Sequence, residues 1–287
     1  MGAVEIDAGK VAVVTGASAG IGAVVARELA RQGWRVIGLG RDPGRAETAL
    51  ASIRAAIPDA RVEMILADLS VMSEAAGAAR DIAARTDRID LLVNNAGGTP
   101  AARKLTPDGY EETFAANHLG PFLLTERLLP LLRAAPSGAQ IINVSSVAHR
   151  FVKDMAWDDL QLERKFDAGQ AYSQSKLANI LFTKALAKRL AGDGIRVNAM
   201  HPGLVQSNFA SHGNRIVKMI YWLARPFSLD PDQGADTILW LAGAADAGTG
   251  GYFVKRRPAP ITPAASSAEG AERLWAMSEA LVAQSGV

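Results

Sequence analysis

Thr15-Gly-Ala-Ser-Ala-Gly-Ile-Gly22 is the stretch on which the reading of this chain turns. Before it, Lys10-Val-Ala-Val-Val-Thr15 is a short β-branched run, which predicts a strand at 10–15 buried on both faces. After it, Ile21, Val25 and Leu29 recur at intervals of four, which predicts a helix over 20–32 with Gly33 as its stop. A glycine turn in that context suits a phosphate. Gly16 permits the sharp turn, Gly20 lets the backbone approach a pyrophosphate, and Gly22 allows the helix to pack closely on the strand. The helix start adds free N–H groups and the positive end of its dipole. Ser18 and Ile21 share the turn and join the glycines as candidate cofactor contacts. The spacing, G-x3-G-x-G, is a variant of the common G-x-G-x-x-G dinucleotide fingerprint.

Outward from this turn, strand and helix patterns alternate. Further strands are predicted at 34–39, 62–67, 89–93, 140–144, 195–199 and 252–254. Helices are predicted at 45–57, after Ser70 as N-cap, over 171–191 and over 268–282. Thr106 as N-cap and Pro107 at the first helical position open another long helical region toward residue 135, with a break near Leu119 imposed by Pro121. Such an order predicts an α/β Rossmann fold: a doubly wound parallel sheet of about seven strands, helices on both faces and right-handed crossovers. With no internal repeat, low-complexity linker or shift of composition, 1–287 reads as a single domain. Its cofactor half spans about 10–150, and its substrate-binding elements about 146–170 and 203–230.

Composition removes other classes. The sequence holds no cysteine, which excludes disulfide scaffolds, thiolate metal sites and cysteine nucleophiles. A net charge of +2, with Lys and Arg spread along the chain, gives no nucleic-acid footprint. The amino terminus shows no signal peptide, and the longest suspicious apolar stretch, 216–224, contains Lys218, so no membrane span is predicted. The expectation is a cytoplasmic protein. The four histidines, at 118, 149, 201 and 212, lack metal-ligand spacing, and no metal is expected. Asn143-Val-Ser145 matches a glycosylation pattern but falls inside a predicted buried strand.

The end of the second strand selects the cofactor. An acid there would bind the ribose hydroxyls of NAD, whereas an arginine accommodates a 2′-phosphate. The residues are Leu39-Gly40-Arg41-Asp42, and the guanidinium fork of Arg41 favours NADP(H), with NAD(H) possible if Asp42 does the ribose work. Asp68 either lies where an adenine rests or caps the next helix.

Taken together, TGASAGIG (15–22), ADL (67–69), NNAG (94–97), Asn117, Ser145-Ser146, Tyr172-Ser-Gln-Ser-Lys176 and His201-Pro-Gly203 resemble the short-chain dehydrogenase/reductase family over essentially the full length. The resemblance implies a nicotinamide cofactor and a catalytic set of Asn117, Ser146, Tyr172 and Lys176. It implies cofactor contacts from Asp68, Leu69, Asn94, Ala96, Gly97, Tyr172, Lys176, Pro202, Gly203, Val205 and Ser207, the last where the family usually has Thr. Asn94 and Gly97 are expected to shape the pocket floor and the sheet packing. The residues agree with the roles. Tyr172 and Lys176 are four apart on a predicted helix and share a face, and a nearby ammonium favours a phenolate. Tyr172 can then trade a proton with an alcohol or carbonyl oxygen, which is general acid–base catalysis. Ser146 would hold the substrate oxygen, with Ser145 facing the other side of the strand. Asn117 matches the family residue that supports a relay water beside the lysine.

Ser146 and Tyr172 are 26 positions apart, and the stretch between them contains a short, helix-like, acid-rich insert expected to rim the substrate mouth. This insert, SSVAH (145–149), YSQSKLANILF (172–182) and the closing AERLWAMSEAL (271–281) look like the retinol-dehydrogenase-like subgroup, with its bacterial relatives and the WW-domain oxidoreductases. Substrates implied are apolar aldehydes, ketones or secondary alcohols. The stretch 216–224 either covers such a substrate as a lid or packs as core. A homodimer or homotetramer through the helices near 107–135 and 171–191 is implied as well. The non-enzymatic alternative is a dinucleotide-binding sensor or scaffold, and a second enzymatic one is a sugar-nucleotide epimerase, which carries a different glycine spacing and a larger carboxy-terminal substrate domain.

Overall fold

Strand β1 (Val11–Thr15) is buried along its whole length, as a strand covered on both faces must be. It lies at the centre of an eight-stranded sheet of order β3-β2-β1-β4-β5-β6-β7-β8. The other strands are β2 (Arg35–Gly40), β3 (Val62–Leu66), β4 (Leu91–Asn94), β5 (Gln140–Val144), β6 (Arg196–His201), β7 (Tyr252–Val254) and β8 (Arg257–Pro258). Pairings from β1 to β7 are parallel, and β8 alone runs antiparallel, on β7. The order reverses between β1 and β4, the switch point outside which α/β sheets bind ligands. The computed structural model describes residues 9–203, 230–244 and 246–287.

Alternate side chains of each strand feed two cores. Val13, Ile37, Leu92, Ile141 and Val197 pack on one face against α3 (Met72–Ala83), α5 (Gly120–Arg133) and α6 (Ala168–Arg189). Val14, Val36, Leu91, Val93 and Ile142 pack on the other against α1 (Gly20–Arg31) and α7 (Pro231–Gly243). Helix α2 (Pro43–Ala56) sits beside β3, and α8 (Pro263–Ser266) leads into α9 (Ala268–Gln284). Trp275 of α9 inserts its ring against Phe122 and Phe182, so the chain's own carboxy-terminal helix covers part of α5 and α6.

The structure departs from the sequence expectation in five places. The eighth strand, two residues ending in proline, has no periodicity to betray it. Helix α7 went unread, although Asp230 and Gln233 form a capping box at its start. Thr106 does not cap a helix. Its amide donates to the Tyr110 carbonyl, and Gly109, at φ +85°, closes a turn instead. The helical region begins at α4 (Glu112–Phe114), where the Glu111 carboxylate accepts the Thr113 and Phe114 amides. Ser70 does not cap α3, because its hydroxyl donates to Asp68, and the first amide of α3, that of Met72, is taken by Asp108. The insert after Ser146 is a 3₁₀ turn (Val147–Phe151) followed by turns rather than a helix, pinned to α6 by Gln174, which donates to the Leu160 carbonyl and accepts the Ala156 amide.

The break anticipated near Leu119 is a π-helical segment (Ala115–Leu119) between α4 and α5. Pro121 cannot donate an N–H to the Asn117 carbonyl four residues back, so the ordinary ladder fails there. Single π turns of this kind concentrate at functional sites.

Candidate active site

The glycine turn sits at the carboxyl end of β1 and is stapled to the end of β4. The Thr15 hydroxyl accepts the Asn95 and Ala96 amides, at 2.9 and 2.8 Å, and the Asn95 side chain donates to the Thr15 carbonyl. Gly16 adopts φ +69°, and a Cβ on Gly22 would lie 2.3 Å from the Gly16 carbonyl oxygen. Both glycines are therefore required by the backbone itself. Gly20 faces open space, and no side chain caps the first amides of α1, whose N-cap is Ala19. Open space, free amides and a helix dipole fit the pyrophosphate of a dinucleotide. Ser18 lies against Gly40, where a Cβ would come within 2.9 Å of its hydroxyl.

At the end of β2, the half-exposed Arg41 guanidinium lies 3.5 Å from Asp68 and 3.9 Å from Glu112. Asp42 is occupied otherwise: it caps α2 by accepting the Arg45 amide, which draws its carboxyl below the usual range. Asp68 accepts the Ser70 amide and hydroxyl with its other oxygen. Leu69 is buried in the core, its carbonyl against Gly120.

A continuous chain of hydrogen bonds then joins Gly97 to α6. The Asn117 carboxamide oxygen accepts the Gly98 amide at 2.8 Å, and its nitrogen donates to Ser175 Oγ at 2.9 Å. Ser175 donates in turn to the Tyr172 carbonyl. A Cβ on Gly97 would stand 2.8 Å from Asn117 Oδ1 and 3.6 Å from Lys176 Nζ, so these groups flank one small, exposed residue. One helical turn apart on α6, Lys176 Nζ lies 5.5 Å from the Tyr172 ring centroid. Burial pushes the Lys176 ammonium down to about 8.

The serines separate as expected. Ser145 donates to the Lys176 carbonyl at 2.7 Å and is fully engaged in the core. Ser146 Oγ accepts the Ala148 amide at 3.2 Å, which leaves its proton free to donate. Asn94 is drawn inward instead: its amide donates to Thr125 and to Asn143, whose own amide donates to Thr183. The buried Asn143 thus carries structure rather than a glycan. Pro202 and Gly203, at φ +89°, leave the carboxyl end of β6 half-buried, while Val205, Ser207, His212 and the 216–224 stretch lie outside the described residues.

The profile of the short chain dehydrogenase family matches residues 10–215. The chain belongs to this family. It is 40% identical to human retinol dehydrogenase 12 over 272 residues, spanning 94% of this chain and 85% of that protein. Against human retinol dehydrogenase 13 the identity is 39% over 286 residues, with 96% and 85% covered. Among solved structures it is similar to an uncharacterized protein from Mycobacterium Paratuberculosis, at TM-score 0.77 and 35% identity, covering 96% of this chain and 94% of that one. It is also similar to the Pseudomonas aeruginosa RhlG/NADP active-site complex, at TM-score 0.70 and 30% identity, covering 88% and 97%.

As a short-chain dehydrogenase of the retinol-dehydrogenase-like subgroup, the protein is an oxidoreductase acting on CH–OH donors with a nicotinamide cofactor and a small-molecule substrate. No helix of the described residues is long and apolar enough to cross a membrane, and none of their His, Asp and Glu clusters could hold a metal. Three residues of the site escaped the sequence reading: Thr15 and Asn95, which fix the glycine turn, and Ser175, which links Asn117 to Tyr172. Each lies within or beside a recognised motif, but only the fold shows its partner.

Proposed function

We propose that the protein is an NADP(H)-dependent oxidoreductase that interconverts an apolar aldehyde or ketone and its alcohol, with Tyr172 as acid and base. The observation that carries this reading is the Lys176 ammonium, buried beside Tyr172 and flanked with Asn117 around Gly97. A cation so placed stabilises the phenolate that forms when Tyr172 gives its proton to a carbonyl oxygen. A bound nicotinamide would supply the hydride for reduction and take it up for oxidation. Ser146 donates a hydrogen bond from its free hydroxyl to the same substrate oxygen. Asn117, through Gly98 and Ser175, holds the Gly97 loop against the turn that carries Tyr172. In the oxidative direction the Tyr172 phenolate would take that one proton back from the alcohol, while Ser146 keeps its own.

Arg41 supports NADP(H), since Asp42 is committed to its helix cap and the RhlG complex holds NADP. The retinol dehydrogenase relatives support an apolar carbonyl substrate, and the reading extends to a cytoplasmic enzyme. A homo-oligomer through α5 and α6 would use the surface that Trp275 and α9 leave uncovered, which light scattering can measure.

The experiment is a panel of aldehydes and ketones with NADPH and NADH, followed by nicotinamide absorbance. Turnover that Tyr172→Phe abolishes while sparing cofactor affinity is the expected result. Cofactor binding without turnover of any carbonyl would instead mark a dinucleotide sensor.

A further inference from the structure

Three buried polar atoms find no hydrogen-bond partner among the described residues: His149 Nε2, the Tyr252 hydroxyl and His201 Nδ1. They come from the 3₁₀ turn after β5, from β7 and from the end of β6. His149 is wholly buried, and its ring meets that of Tyr252 edge-on, with centroids 5.2 Å apart. Its other nitrogen, Nδ1, lies 2.7 Å from the Ser146 carbonyl oxygen, which also accepts the His149 amide at 3.2 Å. A carbonyl can only accept, so Nδ1 carries the proton and Nε2 is a bare acceptor.

The surroundings hold that tautomer. Burial draws His149 below the ordinary range, and the charged groups that act on this cluster, Arg150 and Lys176, are both cations that oppose a second proton. His201 is held down at about 4 for the same reasons. Burial raises the Tyr252 phenol to about 12, so it stays neutral beside the His149 ring. The ring is thus tied to the Ser146 carbonyl through Nδ1 and packed edge-on against the Tyr252 ring.

We propose that His149 is a positioning residue for Ser146, holding its carbonyl so that the Ser146 hydroxyl points at the substrate oxygen. Ser146 is extended, at φ −157° and ψ 157°, and leads directly into the 3₁₀ turn that carries His149. Without the ring, its carbonyl keeps only the longer amide bond, and the direction of the hydroxyl loosens. The inference rests on the reading of Ser146 as the residue that bonds the substrate oxygen.

The test compares His149→Leu, His149→Asn and Ser146→Ala in NADPH-dependent carbonyl reduction, with NADPH affinity measured separately by fluorescence. The Asn side-chain nitrogen can occupy the place of Nδ1, so it restores the bond that Leu removes. In His149→Leu, kcat is expected to fall on the order of 10- to 100-fold, with NADPH affinity unchanged and carbonyl KM within about twofold. His149→Asn is expected to recover to within about threefold of the parent enzyme. A Leu variant with undiminished kcat, or a loss that Asn does not repair, overturns the positioning role. Should the Leu variant not fold, the Asn variant alone decides: near-parental kcat supports the role, and loss of kcat at unchanged NADPH affinity overturns it. Full activity in Ser146→Ala would overturn the reading of the site itself, whatever the His149 variants do.

Discussion

Lys176 Nζ donates to the carbonyl oxygen of Val144 at 3.1 Å, and it forms no ion pair with any described carboxylate. The same carbonyl accepts the Asn179 amide, also at 3.1 Å. Among the described residues the buried ammonium is thus held by a neutral carbonyl dipole and no carboxylate, which costs folding free energy and leaves its charge undiminished for Tyr172.

Lys176→Met should therefore be more stable than the parent and nearly inactive. The Val144 carbonyl keeps Asn179, so no acceptor is orphaned. The folded value near 8 lies below the ordinary 10.5, so the charged form is penalised wherever both states are protonated, below about pH 8. The gain at pH 7 is expected to be about 1–3 kcal/mol, and it should shrink as pH rises from 8 toward 10.5. Urea unfolding at pH 7 and pH 10, with NADPH assays alongside, checks both halves. A variant less stable than the parent at pH 7 contradicts the argument.

Gly22→Ala tests the cradle. Its Cβ would lie 2.3 Å from the Gly16 carbonyl oxygen, a backbone atom that cannot rotate away. The glycine turn must shift, and NADPH affinity is expected to fall at least tenfold, with a loss of about 1–3 kcal/mol in stability. Gly243→Ala, which meets open space at the end of α7, is the control that should leave affinity unchanged. Equal effects in both would remove the packing explanation.

How much of this was legible in the sequence depends on whether a residue's partner is near or far along the chain. β5 and β7 were placed to the residue, because short apolar runs bounded by turns fix a buried strand locally. Tyr172 and Lys176 stand out as catalytic candidates only through the resemblance to the family, and the structure sets them one helical turn apart on α6. Thr106 misled because serine, threonine and proline start turns as readily as helices, and Gly109 at positive φ decided for the turn. The cap of α3 comes from Asp108, 36 residues away, and no local pattern could announce it. The link from Asn117 through Ser175 spans 58 residues for the same reason.

Arg41→Ala should discriminate between cofactors. The guanidinium is half-exposed and near two carboxylates, at 3.5 and 3.9 Å, which the 2′-phosphate would have to outcompete. Loss of a charge-assisted pair to phosphate is expected to weaken NADPH about tenfold or more, and NADH by less than twofold. Dissociation constants for both cofactors check it. Equal weakening of the two would assign Arg41 to the shared part of the dinucleotide.

His118 gives the protein an acid limit. It lies in the π segment next to Asn117, packed by the rings of Phe114 and Phe182 at 5.1 and 5.9 Å. Ser278 donates its hydroxyl proton to Leu274, so His118 Nε2, 2.8 Å from that oxygen, must be the donor in their contact. The buried Nδ1 meets no acceptor among the described residues, and burial holds the ring neutral, at about 3 against an ordinary 6.5. Because the folded value is the lower one, the unfolded chain takes up this proton first as pH falls. Stability is lost from about pH 6.5 downward until the folded value is reached, by about 1.4 kcal/mol per pH unit for this one group. His118→Leu is expected to be less stable at pH 7 but to lose stability less steeply between pH 6 and 4, by about one proton. Parallel slopes for the two proteins would show that the ring takes up no extra proton on unfolding in this range, and would contradict its low folded value.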